Sequence, residues 1–182
     1  PKACAPTEVA NSDKATTGSI AGVTGNSVTV DCNDGFGADG TVICQANGNF
    51  TTHTCAAESC AGANVANSNY ASALLEGVTN ASVDVTCDAG YEGGGGWTCG
   101  TDGNFTGAGC SACSAGTYNA TAGGTCVACE TGYESTDAAT SCTPKACAPT
   151  EVANSDKATT GSIAGVTGNS VTVDCNDGFG AD

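Results

Sequence analysis

The sequence contains no arginine and no methionine, one histidine and one tryptophan, and its four lysines face 19 Asp and Glu for a net charge of −15. Holding a nucleic-acid backbone depends on clustered Lys and Arg, so nucleic acid is excluded as a partner. The same repulsion disfavours anionic membrane surfaces. No run of 18 apolar residues occurs, so no segment reads as a membrane-spanning helix, and no membrane insertion is expected within this sequence. No signal peptide opens it. Aromatics at 5% and charged residues at 13% are scarce, which leaves little material for one large core.

Cysteine and glycine are abundant instead: 14 and 27 of 182 residues. Small modules framed by disulfides have this composition, because each buries too little surface to cohere without covalent staples. Disulfides at such density persist in oxidising surroundings, so a secreted or cell-surface location is expected. Zinc knuckles are the competing explanation. Only Cys110-x2-Cys113 and Cys126-x2-Cys129 have the spacing, and both sit at junctions between modules.

A long self-match organises the chain. Residues 1 to 39 recur letter for letter as 144 to 182, a period of 143 residues. The sequence therefore reads as a window on a longer tandem array. Within the period, Cys4, Cys32, Cys44 and Cys55 are separated by 28, 12 and 11 positions, and Cys60, Cys87, Cys99 and Cys110 by 27, 12 and 11. Ser27 to Phe36 aligns with Ser82 to Tyr91, and Gly48-Asn-Phe-Thr51 with Gly103-Asn-Phe-Thr106. The expected units are module 1 (1–56), module 2 (57–111), a cysteine-rich unit (112–143) and a copy of 1–39 (144–182).

Val28, Val30 and Cys32 alternate with Thr29 and Asp31, and Val83, Val85 and Cys87 repeat the pattern. Such alternation predicts half-buried strands with the cysteine face inward. Glycines 35 to 40 and 93 to 96 turn the chain, and second strands are expected at Thr41 to Cys44 and Trp97 to Cys99. Phe50 and Phe105 supply the large apolar side chains near each module's last cysteine. Tyr70 to Glu76 is the one modest helix candidate. The expected fold class is all-β, as small disulfide-rich modules arranged as beads in a tandem array.

Four cysteines, a V-x-V-x-C strand, a following Gly-aromatic pair and a Gly-x-aromatic before the last cysteine resemble the sushi, or complement-control-protein, module. The resemblance covers residues 3 to 56 and 59 to 111. It implies first-to-third and second-to-fourth pairing: Cys4–Cys44, Cys32–Cys55, Cys60–Cys99 and Cys87–Cys110. Spacing alone leaves three connectivities open for each module. The sequence departs from the family in having Phe where a Trp is usual before the last cysteine, and in lacking the proline ahead of it. Cys113-Ser-Ala-Gly-Thr-Tyr118 and Cys129-Glu-Thr-Gly-Tyr133 look like loops of tumour-necrosis-factor-receptor, ephrin-receptor and EGF-like segments. Sequential pairing, Cys113–Cys126 and Cys129–Cys142, keeps each loop self-contained; a crossed pairing is the alternative.

Few residues suit catalysis. His53 lies two positions from Cys55, but a Cys–His pair needs a free thiol. With Cys55 in a bridge, His53 reads as an exposed turn residue, and no enzyme is expected. Asp31, Asp34 and Asp39 gather in a glycine-rich stretch and form a calcium candidate, since hard cations prefer oxygen ligands. They lack an EF-hand register, and a solvated acidic turn is the alternative. No other metal or cofactor is expected. Asn49, Asn80, Asn104 and Asn119 begin N-x-Ser/Thr triplets without proline, so N-glycans are expected on a secreted chain.

Each period holds twelve cysteines, so none is left over and contacts between chains are expected to be noncovalent. Exact repetition presents the same surface at a fixed interval, and a contact that does not close builds a filament. The expected function is that of a structural subunit of an extracellular, glycosylated fibril or cell-surface appendage, with further copies of itself as partners. The alternative is the ectodomain of a receptor or adhesin binding protein or carbohydrate ligands.

Overall fold

Short strands of two to five residues, the longer ones rich in Val and Thr, pair in antiparallel fashion, and no longer strand forms among the described residues. In the computed structural model, which describes residues 1–180, Ser27–Val30 (β1) runs antiparallel to Gly40–Ile43 (β2), with Val28 opposite Val42. Module 2 repeats this with Ser82–Val85 (β3), where Val83 lies opposite Trp97. Tyr91–Gly93 (β4), Gly95–Cys99 (β5), Phe105–Thr106 (β6) and Cys110–Ala112 (β7) follow. They form a β3-β5-β6 sheet and a β4-β7 pair. Thr117–Tyr118 (β8) pairs with Val127–Ala128 (β9), and Tyr133–Glu134 (β10) with Thr143–Pro144 (β11). The protein is all-β, with no helix among the described residues.

The cores are correspondingly small. Val9, Ile20, Val30, Val42 and Cys55 are buried together in module 1, with Val28, Cys32, Phe36 and Phe50 packed partly against them. Val65, Leu75, Val85 and Phe105 are buried in module 2. Ile43, on the opposite face of β2, is exposed, as alternation requires.

A recurrent turn precedes each core. Ser12 Oγ donates to the Val9 carbonyl at 2.7 Å and accepts from the Lys14 amide at 3.0 Å. Ser68 and Ser155 repeat both bonds, to Val65 and Tyr70 and to Val152 and Lys157. The preceding Asn11, Asn67 and Asn154 take φ values of 58, 58 and 60°, which asparagine tolerates better than most residues.

Tyr70 to Glu76 is not a helix but a series of turns and bends. Its backbone groups are used elsewhere: Asn64 Nδ2 donates to the Ala73 carbonyl at 2.7 Å, and the Leu75 amide donates to Ala63. Those bonds turn Leu75 fully inward.

The chain falls into two compact units, Pro1–Thr86 with Gly94–Gly109, and Cys87–Gly93 with Cys110–Asp182. Residues 57–111 contribute to both units. β4 is bonded into the second unit, where Asn119 Nδ2 donates to the Tyr91 carbonyl at 2.7 Å and Glu92 accepts the Cys126 amide at 2.9 Å.

Candidate functional site

Six disulfides join Cys4–Cys44, Cys32–Cys55, Cys60–Cys99, Cys87–Cys110, Cys113–Cys126 and Cys129–Cys142, with Cα–Cα distances from 5.5 to 5.9 Å. Modules 1 and 2 thus have first-to-third and second-to-fourth pairing, and the two later loops are sequential. Both cysteines of each two-residue knuckle bond outside it, so no zinc knuckle exists in this oxidised state.

Four of these bridges carry the same additional bond. The glycine three residues after the bridge's first cysteine is left-handed and accepts the amide three residues after its second cysteine. Gly35 (φ 81°) accepts from Glu58, and Gly90 (φ 86°) from Cys113. Gly116 (φ 86°) accepts from Cys129, and Gly132 (φ 88°) from Lys145. The N···O distances are 2.8 to 2.9 Å. Each bond ties a loop to the first residues of the next one. The approach is close: a Cβ on Gly35 would lie 2.8 Å from Thr79 Oγ1 and 2.9 Å from the Thr101 Cα, and one on Gly90 would lie 2.3 Å from the Ala138 carbonyl oxygen. Backbone dihedral and space both call for glycine at these two positions. This cysteine-x-x-glycine joint is the most regular device in the protein.

His53 is half-buried rather than an exposed turn residue. Its ring lies on the backbone of β2, where a Cβ on Gly40 would approach Cε1 to 2.3 Å. Its Nε2 is 3.2 Å from the Ala38 carbonyl and 3.7 Å from Cys32 Sγ. Cys32, His53 and Cys55 are therefore clustered, but the two sulfurs are bonded to one another and offer no thiolate for a metal or for nucleophilic attack.

The carboxylates of Asp31, Asp34 and Asp39 are not gathered into a cluster of that kind. Asp39 accepts the Cys32 amide at 2.8 Å and so serves as a turn cap. Beside this stretch, Asp13 bridges two separate segments. It accepts from Lys14 and, at 3.0 Å, from the Asp31 amide. Those two bonds hold its carboxyl below the usual range, with the Lys14 bond contributing more. Asp156 is held down in the same way by Lys157 and the Asp174 amide.

The four glycosylation triplets divide by accessibility. Asn49 and Asn80 are exposed. Asn104 is also exposed, but its Nδ2 donates to the Asp102 backbone carbonyl at 3.2 Å and carboxylate at 3.1 Å. The Nδ2–carboxylate bond, followed by the Asn104 backbone amide donating to the same carboxylate at 3.0 Å, lowers the Asp102 carboxyl. Asn119 corrects the expectation from sequence: it is 3% exposed. Its Nδ2 donates to Tyr91 and its Oδ1 accepts from the Thr121 amide at 3.2 Å. The folded chain has no room for a glycan there, and Asn119 is a structural amide.

Cys147 and Cys175 are exposed free thiols. No helix among the described residues is long and apolar enough to cross a membrane. Compared with known proteins, the chain matches no family model, no curated protein and no solved structure.

Proposed function

We propose that this chain is a structural subunit of an extracellular, glycosylated fibril or cell-surface appendage built from 143-residue tandem repeats, with sushi-like modules followed by EGF- or TNF-receptor-like loops in each period. The observation that carries this reading is the recurrence of residues 1–39 at 144–182 without a single substitution. A ligand site needs one good copy, whereas a building element benefits from presenting identical surfaces at a fixed interval. Two further features support it. Six disulfides suit an oxidising compartment and resist unfolding, and the cysteine-x-x-glycine joint provides one linkage used four times in succession. Asn49 and Asn80 are the best-placed glycan carriers.

The role is mechanical, not catalytic. About 12 net negative charges per period (14 acids, two lysines) repel neighbouring strands at low salt, so lateral packing strengthens as counterions are added. Negative-stain microscopy of native material tests the proposal. Uniform fibres with a regular axial repeat are expected. Dispersed single strands that bind a protein or carbohydrate would overturn it in favour of a receptor or adhesin ectodomain.

A further inference from the structure

Modules 1 and 2 differ at one matched place in their sheets. The residue opposite Val28 is Val42, whereas the residue opposite Val83 is Trp97. In module 2 the indole fills the space beside its strand. A Cβ on Gly107 would lie 2.5 Å from Trp97 Cδ1 and Cγ, so this ring needs glycine beneath it. Its Nε1 donates to the Ala108 carbonyl at 2.9 Å. In module 1 the counterparts of Trp97, Gly107 and Ala108 are Val42, Thr52 and His53. Valine is too small to reach across, and a cavity of about 320 Å³ is bordered by all three. Module 1 is thus hollow at the place where module 2 carries a ring of its own.

The walls of this cavity have the chemistry that takes a sugar. Phe50 is half-buried, with its Cζ end towards Gly22, and gives the cavity an aromatic wall. Thr52 brings a hydroxyl and Glu8 a carboxylate. Glu8 Oε2 accepts the Gly18 amide at 3.2 Å, which holds that side chain in place. An apolar wall with a few fixed polar groups is the usual lining of a small-ligand site, and the volume lies at the lower end of such sites. The cavity also has a tether. Asn49, Phe50 and Thr51, which form one glycosylation triplet, all border it, and Asn49 is exposed. A sugar attached there is kept at the cavity at a local concentration on the order of millimolar, so even a weak site fills.

We propose that the module 1 cavity seats the first sugar of the N-glycan carried by Asn49 of the same chain. The pyranose ring takes the place that the Trp97 indole takes in module 2, with its apolar face on Phe50 and its hydroxyls donating to Glu8 and Thr52. Module 1 completes this face with an attached sugar, and module 2 with a tryptophan. The matching asparagine of module 2 fits the contrast, since the Asn104 amide is bonded to Asp102 and the ring's place beside it is taken. The proposal rests on the reading of the chain as glycosylated. It goes further by giving one glycan a fixed seat, so that each period directs that glycan the same way.

The test uses the full 182-residue chain, produced in a eukaryotic secretory host and trimmed with an endoglycosidase to one N-acetylglucosamine per occupied site. The Asn49→Gln chain, treated alike, is the comparison without this sugar. His53 is the sole histidine of the sequence, so its ring protons give an unambiguous NMR signal. Nuclear Overhauser contacts from the sugar to His53 and Phe50 are expected, with a shift of the His53 signals between the two chains. Val42→Trp paired with Thr52→Gly, the combination of module 2, is expected to abolish those contacts while mass spectrometry still finds sugar on Asn49. Contacts that persist in a folded paired variant would overturn the proposal, and should that variant not fold, the comparison of the two other chains decides alone. An occupied Asn49 without contacts would also overturn it, as would contacts that fade on dilution, which place a neighbouring chain's sugar in the cavity. Sugar present but unseated removes this proposal and leaves the glycosylated reading intact, whereas no sugar on Asn49 removes both for this site.

Discussion

Replacing Cys4 and Cys44 together by alanine opens the longest ring in module 1. The bridge spans 40 residues, and loop-closure entropy assigns such a ring about 4 kcal/mol, compared with about 3 kcal/mol for a bridge spanning 13 residues, the separation in Cys113–Cys126. Both sulfurs are buried, Cys4 at 5% and Cys44 at 1%, so the truncation adds on the order of 1 kcal/mol of lost packing. The remaining core rests on four aliphatic side chains, Val9, Ile20, Val30 and Val42. A core of that size rarely supplies more than about 3–5 kcal/mol. The sum of about 5 kcal/mol equals the upper end of that reserve, and residues 1–56 are expected to be largely unfolded in the double variant at room temperature.

Hydrogen exchange read by mass spectrometry measures this on the intact chain. Peptides from residues 40–56 are the reporters, because those from 1–39 and 144–182 have the same mass. Thr41 to Ile43, in β2, are expected to lose nearly all protection, while Ser82 to Val85 and Tyr133 to Glu134 keep theirs. A Cys113→Ala, Cys126→Ala pair is the control and leaves residues 40–56 unchanged. If protection at Thr41 to Ile43 falls by less than about 1 kcal/mol, burial and not sulfur holds the module, and the physical basis proposed for the repeat fails.

Gly40→Ala places a methyl group where His53 Cε1 would lie 2.3 Å away, and is expected to lower stability by about 1–3 kcal/mol; adding His53→Ala should recover part of that loss, and strict additivity in thermal unfolding would refute the packing. Gly90→Ala adds an unfavourable dihedral to a 2.3 Å approach to the Ala138 carbonyl, and is expected to cost more than Gly95→Ala, which shares a positive φ but meets nothing; equal costs would deny the joint its steric component. When the chain is produced through a secretory pathway, glycopeptide mapping is expected to find sugar at Asn49 and Asn80 and none at Asn119 of the folded product, and comparable occupancy at Asn119 would show that its burial is not required. Asp13 is held below the ordinary carboxylate range, so its contribution to folding is present above the unfolded-state value near 4 and is lost as pH falls through the lower folded-state value. The Asp31 amide resonance should titrate with Asp13 in that acid window, and a titration at the ordinary carboxylate value would remove the assigned bond.

Sequence made the strands legible because their signal is local: Val28-Thr-Val30 and Val83-Asp-Val85 show their faces within three residues. It made the bridges legible only through a family likeness, since four cysteines at those spacings admit other pairings. The turns of Tyr70 to Glu76 and the burial of Asn119 are hidden from a local reading for one reason. Each is decided by a partner beyond the span of the pattern itself, Asn64 and Ala63 for the first and Tyr91, 28 residues away, for the second. The joint lies between these cases. Its half-sites, Cys32-Asn-Asp-Gly35, Cys87-Asp-Ala-Gly90, Cys113-Ser-Ala-Gly116, Cys129-Glu-Thr-Gly132 and Cys175-Asn-Asp-Gly178, stand in plain view. The first two stand in V-x-V-x-C modules and the next two in short cysteine loops, yet all share one glycine at one distance from a cysteine. The dihedral, between 81 and 88° in all five, shows one shared conformation, and the bonds accepted by Gly35, Gly90, Gly116 and Gly132 show one shared use for the first four. A spacing that crosses the boundary between two apparent module types is better evidence for a shared linkage than for shared ancestry, because a joint must have the same geometry on both of its sides whatever lies beyond it.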